Sequence, residues 1–385
     1  SRGSIYIASV EYEYEFMPAK VKIVDDVIDF LRGGAKDGET VASPPQDSPA
    51  SNSSSLSVQK DSPAPTASPA PVFPDVTKGN KTTVLRFMLN NGEVIPVNKK
   101  ATVPGGVLNQ FAMDEYDGYL RMATTWYYKS DVCSNVYCID INTMQVVGKI
   151  EGIAPTERIY SARFTEETGY IVTFRQVDPL FSIDLSDPEN PKIKGELKIP
   201  GFSTYLHPWK NGLMIGIGQD VEANDEIART SGLKLSLFDV TDINNPKEIK
   251  KLVLSSGYGY SNAEYDHKAV MVNPEKGLIG IPAYTYDQNH NQTFNGYMVF
   301  SVSTEKGFEK VCTVEHKDSQ NILRGLMIGD NLYTMSPLYL VATTLSGDAI
   351  STVEIGSYNY YWKDGYRVDG GIAEPAAVPP VAPGN

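Results

Sequence analysis

Apolar and polar positions alternate in short runs along most of the chain. The runs include "SIYIASV" (4–10), "TTVLRFML" (82–89), "GYLRMATTW" (118–126), "NVYCIDI" (135–141), "GYIVTF" (169–174), "LKLSLFDV" (233–240), "GLIGIPAY" (277–284) and "GYMVFSV" (296–302). Each is rich in Val, Ile, Leu and Tyr and bounded by Gly, Asn or Asp, which predicts short β-strands. Helical periodicity is nearly absent. Its one candidate is "VKIVDDVIDFLRGG" (21–34), a short amphipathic helix ended by Gly33 and Gly34.

A phrase recurs between the strands. "DLSDPENPKIKGELKIPG" (184–201) returns as "DVTDINNPKEIKKLVLSSG" (239–257). In both, an Asp that ends an apolar strand is followed by a hydroxyl residue, a second Asp and Asn-Pro-Lys. Asp and Ser/Thr side chains lock turns through local hydrogen bonds, and Pro pre-sets the next corner. Aligning Phe87, Ile139, Ile183, Phe238 and Phe300 gives steps of 52, 44, 55 and 62 residues. About four strands per step of roughly fifty residues predicts an all-β propeller of four-stranded blades. Six blades are visible, at roughly 1–106, 107–155, 156–201, 202–257, 258–318 and 319–356, in a ring expected to hold six to eight. The first lacks an opening strand.

Domain boundaries follow. Residues 1–34 begin the first blade and carry the short helix. Residues 35–80 are dense in Pro and Ser, bury almost nothing, and are expected to be a disordered tether inside that blade. The propeller proper spans 81–356, and 357–385 hold a closing segment, "SYNYYWKDGYRV", and a Pro-rich tail. The opening "SRGSIYIASV" reads as the middle of a strand, so the ring is expected to close either through one or two further blades upstream or with the help of "SYNYYWKDGYRV" (357–368).

Several phrases together resemble a known family: "LNQFAMDEYDGYLRMATT" (108–125), "ERIYSARF" (157–164), "GYIVTFRQVDPLFSIDLSDPENPKIKGELKIPGFSTYLHPW" (169–209), "GLKLSLFDVTDINNPKEI" (232–249) and "DHKAV" (266–270). The chain resembles the secreted bacterial and archaeal proteins with a C-terminal β-propeller domain distantly related to WD repeats. The resemblance covers nearly all of 80–356. It implies a propeller and a secreted or cell-surface location, and it carries no catalytic residues with it.

Charge narrows the partners. The net charge of −13 argues against nucleic acid and anionic membrane surfaces. No apolar run approaches the 18 residues of a membrane span. No nucleotide cradle, G-x-S-x-G elbow or HExxH motif is present, so no motif discloses a reaction. Four His and three Cys do not complete a zinc set. Cys133 and Cys138 either close a tight turn as a disulfide or are two separate buried thiols. No cofactor is expected. "QDVEANDE" (219–226), with Asp220, Glu222, Asn224 and Asp225, is a candidate calcium loop, against the simpler reading of a solvated loop. "MDEYDG" (113–118) reads as a hairpin turn with Gly118 at the special position. Asn52, Asn80 and Asn291 begin glycosylation triplets.

The candidate site comes from position. In a propeller the first strand of each blade lines the central channel. The candidate first strands "NQFAM" (109–113), "YSARF" (160–164), "TYLHP" (204–208), "DHKAV" (266–270) and "LRGLM" (323–327) carry Gln110, Arg163, His207, Asp266, His267, Lys268 and Arg324. Unpaired buried charges are costly, so these groups either face a watery channel or satisfy one another. The channel reading makes the protein a binding module for an extracellular ligand, glycan or protein, with Arg163, Lys268 and Arg324 favouring an anionic one. Two alternatives are a hydrolase or lyase using Asp266 and His267 with Arg163 or Arg324, and a structural cell-envelope component.

Overall fold

The computed structural model describes residues 4–12, 76–174, 178–224, 227–255, 257–317, 321–356, 360–363 and 366–369. The expected helix at 21–34, nearly all of the Pro/Ser segment and the tail lie outside them. Six antiparallel sheets follow one another along the chain. Among the described residues blade one has three strands, Ser4–Glu11, Lys81–Asn90 and Glu93–Pro104, in chain order. Blade three (Arg158–Thr165, Thr168–Phe174, Asp178–Asp184, Lys192–Ile199), blade four (Phe202–Trp209, Leu213–Asn224, Ile227–Asp239, Lys247–Val253) and blade six (Arg324–Ile328, Asn331–Met335, Tyr339–Thr343, Ala349–Glu354) are four-stranded meanders.

Blades two and five have a broken inner edge. In blade two, Gly106–Val107 and Met113–Tyr116 both pair with Tyr119–Tyr128, and Asp131–Asp140 and Gln145–Ile153 complete the sheet. In blade five, Gly259–Tyr260 and Met271–Asn273 share Leu278–Tyr286, followed by Gln292–Ser303 and Gly307–Val314. After blade six, Tyr360–Lys363 and Tyr366–Asp369 form a hairpin that joins no other described sheet.

The pairing repeats in detail. In all six blades the last two strands slip register at a matching point, Leu85/Phe87, Cys138/Ile139, Ser182/Ile183, Leu237/Phe238, Val299/Phe300 and Ala342/Thr343, and blade two slips again at Ser134/Val136. The five residues that set the sequence period therefore all follow the same bulge, which bends and twists each blade at a corresponding place. The recurring Asp ends the next-to-last strand. Asp184 Oδ1 accepts from the Ser186 N–H (3.0 Å) and hydroxyl (2.6 Å), and Asp239 Oδ1 from the Thr241 N–H (3.1 Å) and hydroxyl (2.6 Å). These bonds hold both carboxyls below the usual carboxylate range. The expected 113–118 hairpin is present, with positive φ at Asp117 (47°) and Gly118 (82°).

Strand alternation explains the core. On Ile227–Asp239, Leu233, Leu235 and Leu237 point one way and pack on Ile279, Ile281, Met298 and Phe300 of blade five. Phe238 points the other way and packs on Tyr170, Val172 and Leu180 of blade three. Blades one and two meet through Val84, Val103, Met122 and Tyr137, two and three through Val136, Cys138, Ile171 and Ile183, and five and six through Tyr297, Val299, Leu332 and Val341. The hydrophobic core is thus five inter-blade layers, each made by the two faces that period-two alternation creates.

Several expectations are corrected. Cys133 and Cys138 are free, buried thiols on one strand. Five residues of extended chain hold their backbones roughly 16 Å apart, beyond any disulfide. Burial pushes both thiols up to about 11. "NQFAM" and "DHKAV" are not continuous strands, because Gln110–Ala112 and His267–Ala269 are 3₁₀ turns. The Asn109 and Asp266 side chains accept from the N–H two residues on, at 2.9 Å each, and so replace the ladder with a local cap. The acidic stretch 219–226 is strand as far as Asn224, not a loop, and Asp220 pairs with Lys251 at 3.1 Å. Asp225 lies outside the described residues. Asn80 is buried, with its amide bonded to Thr125 O and Tyr127 N, and is no glycosylation acceptor.

Candidate functional site

The structure brings the inner polar groups together, but it closes them on one another. Phe111, which the sequence reading passed over, is the hub. The Arg163 guanidinium lies 4.1 Å above its ring, and His267 meets it edge-on at 5.0 Å. Arg163 Nε donates to Leu206 O (2.9 Å) and Nη2 to the Tyr205 hydroxyl (3.4 Å), which also bonds His207 Nδ1 at 2.9 Å. Gln110 Nε2 reaches His267 Nε2 at 3.2 Å. Arg324 of blade six pairs with Asp266 of blade five at 3.0 Å. Gln110 and Lys268 are exposed, and the Lys268 side chain is in no hydrogen bond or ion pair among the described residues.

The electrostatics fit a closed belt. Burial and the Arg163 charge push His207 down to about 4, so its ring is neutral at physiological pH. Burial opposes ionisation of Asp266, but the Lys268 N–H and Arg324 outweigh it and carry the carboxyl below its usual range. No hydrogen bond joins Asp266 to His267 among the described residues, so the expected acid/base pair is not assembled. No described cluster of three His, Cys, Asp or Glu is placed to hold a metal ion.

The open site lies at one end of the inner strands. Arg158 and Tyr160 are the first and third residues of blade three, and Phe202 and Thr204 hold the same places in blade four. They line a cavity of 760 Å³ together with Tyr12 and Asn80 of blade one, Leu108, Asn109 and Tyr127 of blade two, and Gln219 of blade four. Blade five adds Tyr258, Tyr260, Glu264 and Tyr265. Five blades therefore meet at this mouth, and none of the seven sequence-predicted residues lines it. Its lining comes from the residues where one blade passes to the next, which period-two patterning does not flag.

Two walls stand out. On one, Tyr160, Phe174 and Phe202 form an aromatic cluster with centroids 4.6 to 5.7 Å apart, and Arg158 lies 4.6 Å over the Tyr160 ring. On the other, Tyr260 stacks on Tyr284 at 4.6 Å, with Tyr258 at 5.9 Å from Tyr260. Burial raises the hydroxyls of Tyr258 and Tyr260, so both phenols keep their protons at neutral pH. Beside them Glu264 closes the 3₁₀ turn Asn262–Glu264, whose cap is Ser261. Its Oε2 accepts from Ser261 N (2.9 Å) and its Oε1 from Gln219 Nε2 (2.9 Å). Burial pushes the Glu264 carboxyl above the usual range, against the pull of those two donors.

An uncharacterised protein of Methanocaldococcus jannaschii is 43 % identical over 258 residues, which is 66 % of this chain and 37 % of that protein. An uncharacterised protein of Archaeoglobus fulgidus is 38 % identical over 257 residues, 67 % of this chain and 36 % of its own length. The match spans just over a third of these relatives. Among solved structures, Sqt1 from Chaetomium thermophilum is similar at a TM-score of 0.42 and 11 % identity, over 64 % of this chain and 63 % of that one. The Pan2 WD40 domain of Neurospora crassa is similar at 0.39 and 9 %, over 70 % and 72 %. Residues 1–347 match the family described as the beta propeller domain, and on that match and its six successive sheets the chain belongs to this family.

Proposed function

We propose that the protein is a binding module that takes its ligand in the mouth cavity. One observation carries this: a 760 Å³ cavity lined from five blades by tyrosine rings and side-chain amides. Cavities of that size with apolar faces and a few fixed polar groups are the usual form of small-ligand sites. Tyr rings supply flat packing area and a hydroxyl at the rim, which suits a ring-faced ligand with polar edges.

The deeper polar belt is then a fastener between blades, since Arg163, His207, Gln110 and His267 bond within it and Asp266 pairs with Arg324 across blades five and six. Nothing favours the hydrolase reading, because Asp266 is engaged by Arg324 and His267 by Gln110. An extracellular ligand and an exported location are part of the proposal. They rest on the family resemblance alone, now that the two cysteines give no disulfide. Calorimetric titration against panels of oligosaccharides and short peptides tests the site. We expect at least one ligand whose affinity drops about tenfold or more in Tyr160→Ala and Tyr258→Ala, as the loss of a stacked ring predicts. Ligands that bind both variants as tightly as the unaltered protein would place recognition elsewhere.

A further inference from the structure

Glu264 is the one carboxylate in the described cavity lining, and Arg158 the one guanidinium. Arg158 has its cation spread over the Tyr160 ring and donates to the Tyr160 hydroxyl at 3.1 Å. Glu264 has no such partner. It is 6 % exposed, and no Lys, Arg or His pairs with it among the described residues. A carboxylate kept out of water without a cation is costly, and most are paired.

Capping alone does not account for this arrangement. A capping box asks only that the acid reach back to the N-cap N–H, which Oε2 does at Ser261. Here a residue of the neighbouring blade adds a second hold. Gln219 spends both amide hydrogens, on Gly259 O (3.1 Å) and on Glu264 Oε1 (2.9 Å), while its own Oε1 accepts nothing. The carboxylate is therefore fixed from two blades, at the expense of one orphaned acceptor. Each of its oxygens has one lone pair left. Tyr258, Tyr260 and Tyr265 line the cavity beside it, and Tyr258 and Tyr265 are 50 % and 79 % exposed, so their faces are open to a ligand.

We infer that the mouth cavity binds an ammonium group, held between the Glu264 carboxylate and the faces of Tyr258, Tyr260 and Tyr265. This rests on the cavity being the binding site. The carboxylate supplies the counter-charge, the rings attract the cation through their quadrupoles, and a partly desolvated site strengthens both terms. Gln219 is a positioning residue. The raised proton affinity of Glu264 agrees with an acid that awaits a cation. An amine of this kind is carried by a lysine side chain or by a de-N-acetylated amino sugar, and the two sources are separable.

Calorimetry on the full chain at neutral pH decides the matter, with two matched pairs as probes. One pair is Nα-acetyl-lysine methylamide and Nα-acetyl-norleucine methylamide. The other is chitotriose with free amines and its fully N-acetylated form. We expect the amine of one pair to bind at least about tenfold tighter than its neutral partner, and that pair identifies the source. Glu264→Gln keeps a capping-box side chain, so the turn survives and the preference should vanish. Tyr258→Leu should weaken the amine several-fold with an unchanged melting temperature. Equal affinities within both pairs would overturn the inference, as would a preference that persists in Glu264→Gln, which is only the diffuse attraction of an acidic surface. If the neutral members bind and Tyr160→Ala removes that binding, the mouth site stands and the ammonium falls. If none of the four probes and no member of the wider panels binds, both readings fall together.

Discussion

Tyr297 shows how much one buried hydroxyl holds. It is fully buried, its O–H faces Ala269 O (3.0 Å) and Gly280 O (2.9 Å), and it accepts from Met271 N at 3.1 Å. Tyr297→Phe should lower unfolding stability by about 1 to 3 kcal/mol in urea titrations, because Met271 N–H is left buried without an acceptor. His316, like His207, adds to the pH dependence of stability. It is 6 % exposed, bonds Thr334 Oγ1 at 2.9 Å, and burial pushes it down to about 4. A His whose folded value lies below its unfolded one is neutral in the fold, so its stability contribution is whole above pH 6.5 and is lost as pH falls towards 4. The unaltered protein should lose about 2 to 3 kcal/mol more than His316→Gln between pH 7 and 4.5. Equal losses in urea titrations would assign the acid sensitivity elsewhere. At this scale the sequence showed which inner residues were polar, such as Arg163 and His207. It did not show that Phe111 and Tyr205 would gather them, because a ring above a guanidinium is a contact between blades.

At the scale of elements, the recurring Asp turn does two things. Inside its blade it ends a strand. Between blades it seats on the outer strand of the blade before it, and a glycine there makes room. A Cβ on Gly148 would stand 2.1 Å from Pro188 O, and one on Gly195 would stand 2.6 Å from Ile243 O. Gly148 and Gly195 are each the fourth residue of their blade's last strand, and Ser182 of blade three also bonds Ile243 O. Gly195→Ala should therefore destabilise by about 1 to 3 kcal/mol by overpacking. Thermal unfolding of Gly195→Ala checks this, and an unchanged midpoint would mean that the turn does not clasp. The turn chemistry was legible because Asp and Ser/Thr act on residues two or three away. The 3₁₀ turns at Gln110–Ala112 and His267–Ala269 were not. A single Asn or Asp cap competes there with a strand pattern, and the blade next door decides the contest.

For the whole molecule, stability lies between blades. Leu235 is fully buried in the layer that joins blades four and five. Leu235→Ala should cost about 2 to 5 kcal/mol. The loss should appear as one cooperative shift if the blades unfold together, and a separate early transition would show independent units. The sequence by itself determined the blade: alternation gave each strand two packing faces, the Asp turns closed the hairpins, and the spacing set the bulge. All of these act over a few residues, so they are written locally. Only the tertiary structure decided the mouth cavity and the belt beneath it. Tyr12, Tyr127, Tyr160, Gln219 and Glu264 come from five blades and meet because the ring geometry turns the same end of each blade to one centre. No periodicity along the chain encodes that meeting, since it depends on the angle between sheets and not on the order of residues within one.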